Sequence, residues 1–148
     1  MDENAGEILL VEDNVDDVEL TLIALQKSNL SNRVTVVNDG QEALDYIFSK
    51  GVYADRNRNQ FPNVIFLDLN LPKIGGLDVL KAIKGDERTR EIPVVAMTSS
   101  QQEVDIVESY KLGVNSYIAK PIDFGNFTDT VAKLGYYWLM LNKSPFNL

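Results

Sequence analysis

The sequence predicts an α/β fold: a doubly wound, five-stranded parallel sheet in the order 2-1-3-4-5 with helices on both faces. Two observations predict it. Five short apolar runs recur along the chain without the polar alternation of a strand that faces water on one side, so each reads as a strand buried on both faces. Each run is followed by a segment with helical spacing, and βα alternation through 148 residues implies parallel strands joined by crossovers. The order 2-1-3-4-5 is the doubly wound arrangement natural to a chain of this size.

The elements follow in order. Glu7-Ile8-Leu9-Leu10-Val11 is the first strand, and Asn14 then opens a helix as its N-cap, with acids crowding the first turn. Val15, Val18, Leu22 and Leu25 share one face at helical spacing. Arg33-Val34-Thr35-Val36-Val37 is the second strand, and Asp39-Gly40 turns into a helix carrying Ala43, Leu44, Ile47 and Phe48. The polar stretch 49–62, with Lys50, Arg56 and Arg58, is a surface loop longer than usual in α/β units. Asn63-Val64-Ile65-Phe66-Leu67 is the third strand, and Gly75-Gly76 leads into a helix with Leu77, Leu80 and Ile83. Pro93-Val94-Val95-Ala96-Met97 is the fourth strand and 101–112 the fourth helix. Ser116-Tyr117-Ile118-Ala119 is the fifth strand, and a long last helix runs from about 123 to 142. The expectation is one domain over 1–148, its core spanning about 7–142, with 143–148 as a C-terminal tail.

Composition excludes several classes of function. With 14 Lys+Arg against 22 Asp+Glu the net charge is -8, which makes phosphate backbones and anionic lipid poor partners: no nucleic acid, no membrane. No apolar run approaches the roughly 20 residues that span a bilayer. The acidic N-terminus is the opposite of a secretory signal peptide, so a cytoplasmic location is expected. The chain has no Cys and no His. Thiolate nucleophiles, disulfides and imidazole acid–base chemistry are absent, leaving carboxylates, hydroxyls, lysine and an oxygen-loving metal.

Ligands of open parallel sheets bind beyond the carboxyl ends of the strands, near the switch in strand order. There the sequence places Glu12 and Asp13 after the first strand, Asp68 and then Asn70 after the third, Thr98 after the fourth and Lys120-Pro121 after the fifth. Carboxylates gathered so closely repel one another unless a hard cation or a lysine compensates them. Mg²⁺ takes carboxylate, water and phosphate oxygens without His or Cys. A central carboxylate can attack phosphorus, and the metal and the lysine neutralise the phosphoryl oxygens, which is most of what phosphoryl transfer requires. Taken singly, acids after a strand are often helix caps, and Asp16, Asp17 and Glu19 are assigned as such.

The set Glu12-Asp13, Asp68, Thr98 and Lys120-Pro121, with Leu67-Asp68-Leu69-Asn70-Leu71-Pro72 ahead of Gly75-Gly76 and Gly113-Val114-Asn115-Ser116-Tyr117 ahead of Lys120, resembles the receiver domain of bacterial response regulators over about 8–132. The resemblance implies the flavodoxin-like (βα)5 fold. It implies that Asp68 accepts a phosphoryl group from a histidine kinase, and that Asp13, Asp68 and the Asn70 carbonyl bind Mg²⁺ with Glu12 acting through water. It further implies that Thr98 and Tyr117 are the switch residues, that Lys120 pairs with the phosphoryl group, and that the Lys120-Pro121 bond is cis. Asn70 and Ser100 are expected to influence hydrolysis. The chain is then a signalling domain and not an enzyme acting on an external substrate. A phosphorelay intermediate serving a His-containing transfer protein is an open alternative. A small Mg²⁺-dependent phosphatase is another, weakened because Asn70 occupies the place of the second acid that haloacid-dehalogenase-like enzymes carry.

The chain ends soon after the last helix, so the expected output is a changed binding surface or changed self-association. Phe127, Val131, Leu134, Trp138 and Leu141 form the stripe expected to cover the sheet, while Tyr136, Tyr137, Leu139 and Met140 point elsewhere. These four are assigned to a homodimer contact, with a tail folded back over them as the alternative. The long loop and the aromatic-rich last helix resemble the small receivers that partner bacterial phytochromes, notably in cyanobacteria.

Overall fold

Side chains on both sides of the central strands turn into a core, so the chain builds a sheet covered on both faces. β1 (Ile8–Val11), β3 (Val64–Leu67) and β4 (Val94–Thr98) are buried at every position, while the edge strands β2 (Val34–Val37) and β5 (Ser116–Ala119) are partly exposed. The computed structural model describes residues 6–99, 102–120 and 124–146. The five strands are parallel and run in the order β2-β1-β3-β4-β5, as the sequence predicts.

Alternate strand residues feed two cores, the period-2 consequence of the pleat. Ile8, Leu10, Val64, Phe66 and Val95 face α1 (Val15–Gln26) and α5 (Phe124–Tyr136), against Ala24, Leu25, Phe127 and Val131. Leu9, Val11, Ile65, Leu67 and Val94 face α2 (Gly40–Ile47) and α3 (Gly76–Gly85), against Ala43, Ile47, Val79 and Leu80. Each Val, Leu, Ile or Phe among them, fully buried, stabilises the fold by roughly 1.5–3 kcal/mol relative to exposure. The remaining helix, α4 (Glu103–Lys111), buries only Ser109 completely.

Caps fix where the helices start. Asn14 Oδ1 accepts the Asp17 N–H at 3.0 Å, and Asp39 Oδ1 accepts the Glu42 N–H at 2.7 Å. Two glycines allow close approach below the carboxyl edge. A Cβ on Gly76 would lie 2.4 Å from the Asp68 carbonyl oxygen, and one on Gly40 would lie 2.2 Å from that of Ile74.

Several boundaries differ from the sequence reading. Arg33 closes a 3-10 turn, Ser31–Arg33, ahead of β2 instead of opening the strand. Val15 occupies the first helical position and is exposed, whereas Leu25 of the predicted stripe is buried and Val18 packs on the core, joined by Thr21 and Ala24. The loop at 49–62 holds the 3-10 turn Gly51–Tyr53 and is pinned by Arg56. That guanidinium lies 3.8 Å from the centre of the Tyr46 ring, donating to the Tyr46 carbonyl and, at 3.0 Å, to that of Gln60. Ser100, Gln101, Pro121 and Asp123 lie outside the described residues, and with them the expected Lys120-Pro121 cis bond and the predicted first residues of the last two helices.

The largest correction concerns the end of the last helix. After Tyr136 the chain winds as a π-helix, Tyr137–Leu141, closed by the Asn142 N–H donating to the Tyr137 carbonyl at 2.7 Å. A π turn takes one more residue than an α turn, so side chains beyond it shift in phase. Leu139, five residues after Leu134, therefore enters the core at 7 % exposure, and Leu141 is turned out at 59 %. Leu139 is thus a core residue and not part of an outer surface, and Leu141 does not cover the sheet. Among the described residues the tail does not fold back over the outer face either: Phe146 packs on Phe61, ring centres 5.3 Å apart, and Tyr136, Tyr137 and Met140 are exposed.

Candidate functional site

Strand register brings the site residues level. Val11 pairs with Leu67 across β1 and β3, so Glu12 and Asp68 are the next residues beyond the sheet on adjacent strands. The Asp68 N–H donates to the Val11 carbonyl at 3.0 Å, and the Lys120 N–H to the Thr98 carbonyl at 2.6 Å, extending the ladders into the site. Glu12, Asp13, Asp68, Asn70, Thr98 and Lys120 therefore cluster at the carboxyl edge, where the strand order reverses between β1 and β3.

Lys120 is the hub. Its ammonium, on a side chain 10 % exposed, donates to Glu12 Oε1, to Asp17 Oδ2 at 2.8 Å and to Asp68 Oδ2 at 3.1 Å. The second Glu12 oxygen accepts the Asn14 N–H at 3.3 Å. On Asp68, Oδ1 accepts the Asn70 N–H at 3.0 Å. The Asn70 side-chain amide donates to the hydroxyls of Thr98 and Ser99, each at 3.2 Å.

Burial pushes the Glu12 carboxyl up to about 8, with Asp68 adding to the rise and Lys120 opposing it. Burial also works against the Lys120 charge, but the hydrogen bonds to Asp17 and Glu12 and the charges of Asp68 and Glu12 outweigh it. Its pKa is held above the ordinary lysine value. One carboxylate oxygen each from Glu12, Asp13 and Asp68 lies within 4.8 Å of the others. This all-oxygen donor set fits a hard divalent cation held by carboxylates and waters.

The structure thus gathers Glu12, Asp13, Asp68, Asn70, Thr98 and Lys120, and it adds Asp17, which the sequence reading treated as a helix acid. Tyr117 is half-buried against the core on the α2–α3 face of the sheet. Ser100 is outside the described residues. The only signal for Asp17 was its place three residues after the Asn14 cap, one turn above the strand end.

The response regulator receiver domain family matches residues 8–132. The chain belongs to that family. The chain is similar to the probable methanogenesis regulatory protein FilR2 of Methanothrix harundinacea, 40% identical over 93% of this chain and 86% of the relative. It is also similar to response regulator Rcp1 of Synechocystis, 37% identical over 89% and 88% of the two chains. Among solved structures, the phosphorylated cyanobacterial phytochrome response regulator RcpA superposes with a TM-score of 0.87 at 40% identity, over 95% of this chain and 98% of that one. The bacteriophytochrome response regulator RtBRR is 51% identical with a TM-score of 0.76, over 95% and 84%. Rcp1 has a Mn²⁺-bound structure, 35% identical with a TM-score of 0.86 over 95% and 99%. This receiver domain is therefore related to phytochrome response regulators and belongs to two-component signalling. Among the described residues, no helix is long and apolar enough to cross a membrane.

Proposed function

We propose that this receiver takes a phosphoryl group from a sensor histidine kinase onto Asp68 and passes the signal on as a changed surface. The observation that carries the reading is Asp68 Oδ2 lying 3.1 Å from the Lys120 ammonium, inside a carboxylate cluster at the switch point of a receiver fold. In the transfer an Asp68 oxygen bonds to phosphorus as the phosphorus–nitrogen bond of the kinase phosphohistidine breaks. The imidazole leaves with the electron pair and takes up a proton. Glu12, Asp13 and Asp68, with the Asn70 carbonyl that the receiver resemblance adds, would hold Mg²⁺. The cation supplies positive charge against the phosphoryl oxygens. Lys120 adds a second positive charge. The receiver resemblance gives the Thr98 hydroxyl, which accepts from Asn70, as the group that would donate to a phosphoryl oxygen, and Tyr117 as the aromatic that follows it. Reaction stops at uptake and self-hydrolysis, so the domain turns over no external substrate.

Likeness to RcpA and RtBRR supports a phytochrome-type kinase as the donor, and the reading takes a cytoplasmic location with it. The test is acetyl phosphate with Mg²⁺, read by intact mass and peptide mapping. The expected result is one base-labile phosphoryl adduct mapped to Asp68 and absent when EDTA removes the metal. An unmodified protein at saturating Mg²⁺ overturns the reading.

The outward apolar side chains at the end of the last helix support a homodimer. Tyr136, Tyr137, Met140 and Leu141 are apolar side chains each 47 % exposed or more. Lysine at Tyr137 and Met140 together is expected to weaken self-association by more than about tenfold in sedimentation. Leu139→Ala should instead cost about 2–4 kcal/mol of stability as a core truncation. A wild-type chain that stays monomeric whether phosphorylated or not refutes the dimer.

A further inference from the structure

We propose that Asp17 is a positioning residue, which holds the Lys120 ammonium beside Asp68 while a cation and a phosphoryl group occupy the other carboxylates. The proposal rests on the assignment of Asp68 as acceptor. Three acids share Lys120, but they are not equivalent. Glu12 and Asp68 belong to the cluster whose oxygens lie close enough to share one cation, and Asp17 does not. A cation drawn to that cluster competes with Lys120 for Glu12 and Asp68, because a carboxylate oxygen bound to metal is a weaker acceptor for an ammonium. Among the described residues Asp17 is then the carboxylate left to Lys120. Without it the ammonium has, among the described residues, only the groups the cation must take, and either blocks the cation or swings away from the transferring group.

Local structure aims Asp17 at this task. Its N–H is capped by Asn14 Oδ1 at 3.0 Å and its carbonyl accepts the Thr21 hydroxyl at 2.8 Å. The backbone is thereby fixed in the first turn of α1, and the carboxylate reaches across to a lysine 103 residues away. At 29 % side-chain exposure it lies at the rim, beside Glu12 at 3 % and Asp68 at 7 %. A charge-assisted hydrogen bond of 2.8 Å is strong enough to set where a flexible lysine spends its time. Asp16, in the same turn, is exposed and supplies the control, since its loss removes the same charge and the same helix-terminal acid.

The experiment measures initial rates of phosphoryl uptake against acetyl phosphate at saturating Mg²⁺. Asp17→Asn should lower the limiting rate about tenfold with the half-saturating acetyl phosphate unchanged, while Asp16→Asn stays within about twofold of wild type. In a Lys120→Met background, Asp17→Asn should cost less than about twofold, because the residue acts through Lys120. Asp17→Asn matching Asp16→Asn, or losing the same factor with Lys120 already gone, overturns the positioning role and leaves the Asp68 assignment intact. Failure of the wild-type chain to take up a phosphoryl group overturns the assignment itself, and the positioning role with it.

Discussion

Asp68→Asn is expected to lose all phosphoryl uptake from acetyl phosphate and, in the same protein, to gain stability when metal is absent. Asparagine keeps the shape of the side chain but has no anionic oxygen to attack phosphorus. The stability gain follows from the neighbours. Burial and the adjacent Asp68 carboxylate push Glu12 up to about 8, so the folded chain holds a proton there that the unfolded chain releases near its ordinary value of 4.5. An acid whose pKa is raised on folding destabilises progressively as pH rises from the unfolded value through the folded one. Removing Asp68 removes one cause of the rise, while Lys120 keeps Glu12 and Asp17 as partners. The expected gain is about 1 kcal/mol at pH 8, the worth of roughly one pKa unit, and it shrinks toward zero near pH 4. Urea unfolding in EDTA at both pH values measures it. An adduct persisting on Asp68→Asn would place the acceptor elsewhere. A loss of stability at pH 8 would mean that the Lys120–Asp68 attraction exceeds the repulsion between the acids.

The sheet was legible because its signal is local. Four consecutive apolar residues such as Ile8–Val11 or Val64–Leu67 have one low-energy place in a small α/β chain, and the residue after each run must then emerge at the carboxyl edge. That is why the sequence alone sets Glu12, Asp68, Thr98 and Lys120 beside one another. What stayed hidden depends on distance or phase. The carboxylate of Asp17 meets Lys120 across 103 positions of sequence, and in the sequence it is indistinguishable from the exposed Asp16 beside it. The fate of Leu139 turns on one additional residue in the last helical turn, which the α-helical period cannot register. The contact of Phe146 with Phe61 joins a tail to a loop, neither of which has a periodicity to read.

Lys120→Met tests the electrostatic design of the site most severely. In the wild-type chain one ammonium compensates the buried Asp68 carboxylate besides holding Glu12 and Asp17. Removing one partner of a buried pair leaves uncompensated charge, at a cost of about 3–5 kcal/mol, and methionine restores packing but not charge. The pH dependence separates this from simple loss of contacts. The Lys120 pKa is raised on folding, so its own stabilisation is complete below the ordinary lysine value of 10.5 and is lost only as pH rises through the folded value. Between pH 5 and 8 any slope comes from the acids. Lys120 is what opposes the rise of Glu12, so its removal lifts the Glu12 pKa further and carries the loss of stability on past about pH 8, where the wild-type loss levels off. Unfolding in EDTA should therefore show a deficit that is level below about pH 7 and grows as pH rises above about 8. A divalent cation is expected to recover much of it, because Glu12, Asp13 and Asp68 bind the cation only in the folded chain, where their oxygens meet. A deficit that neither varies with pH nor responds to metal would identify Lys120 as a packing residue and remove the charge balance on which phosphoryl transfer at Asp68 depends.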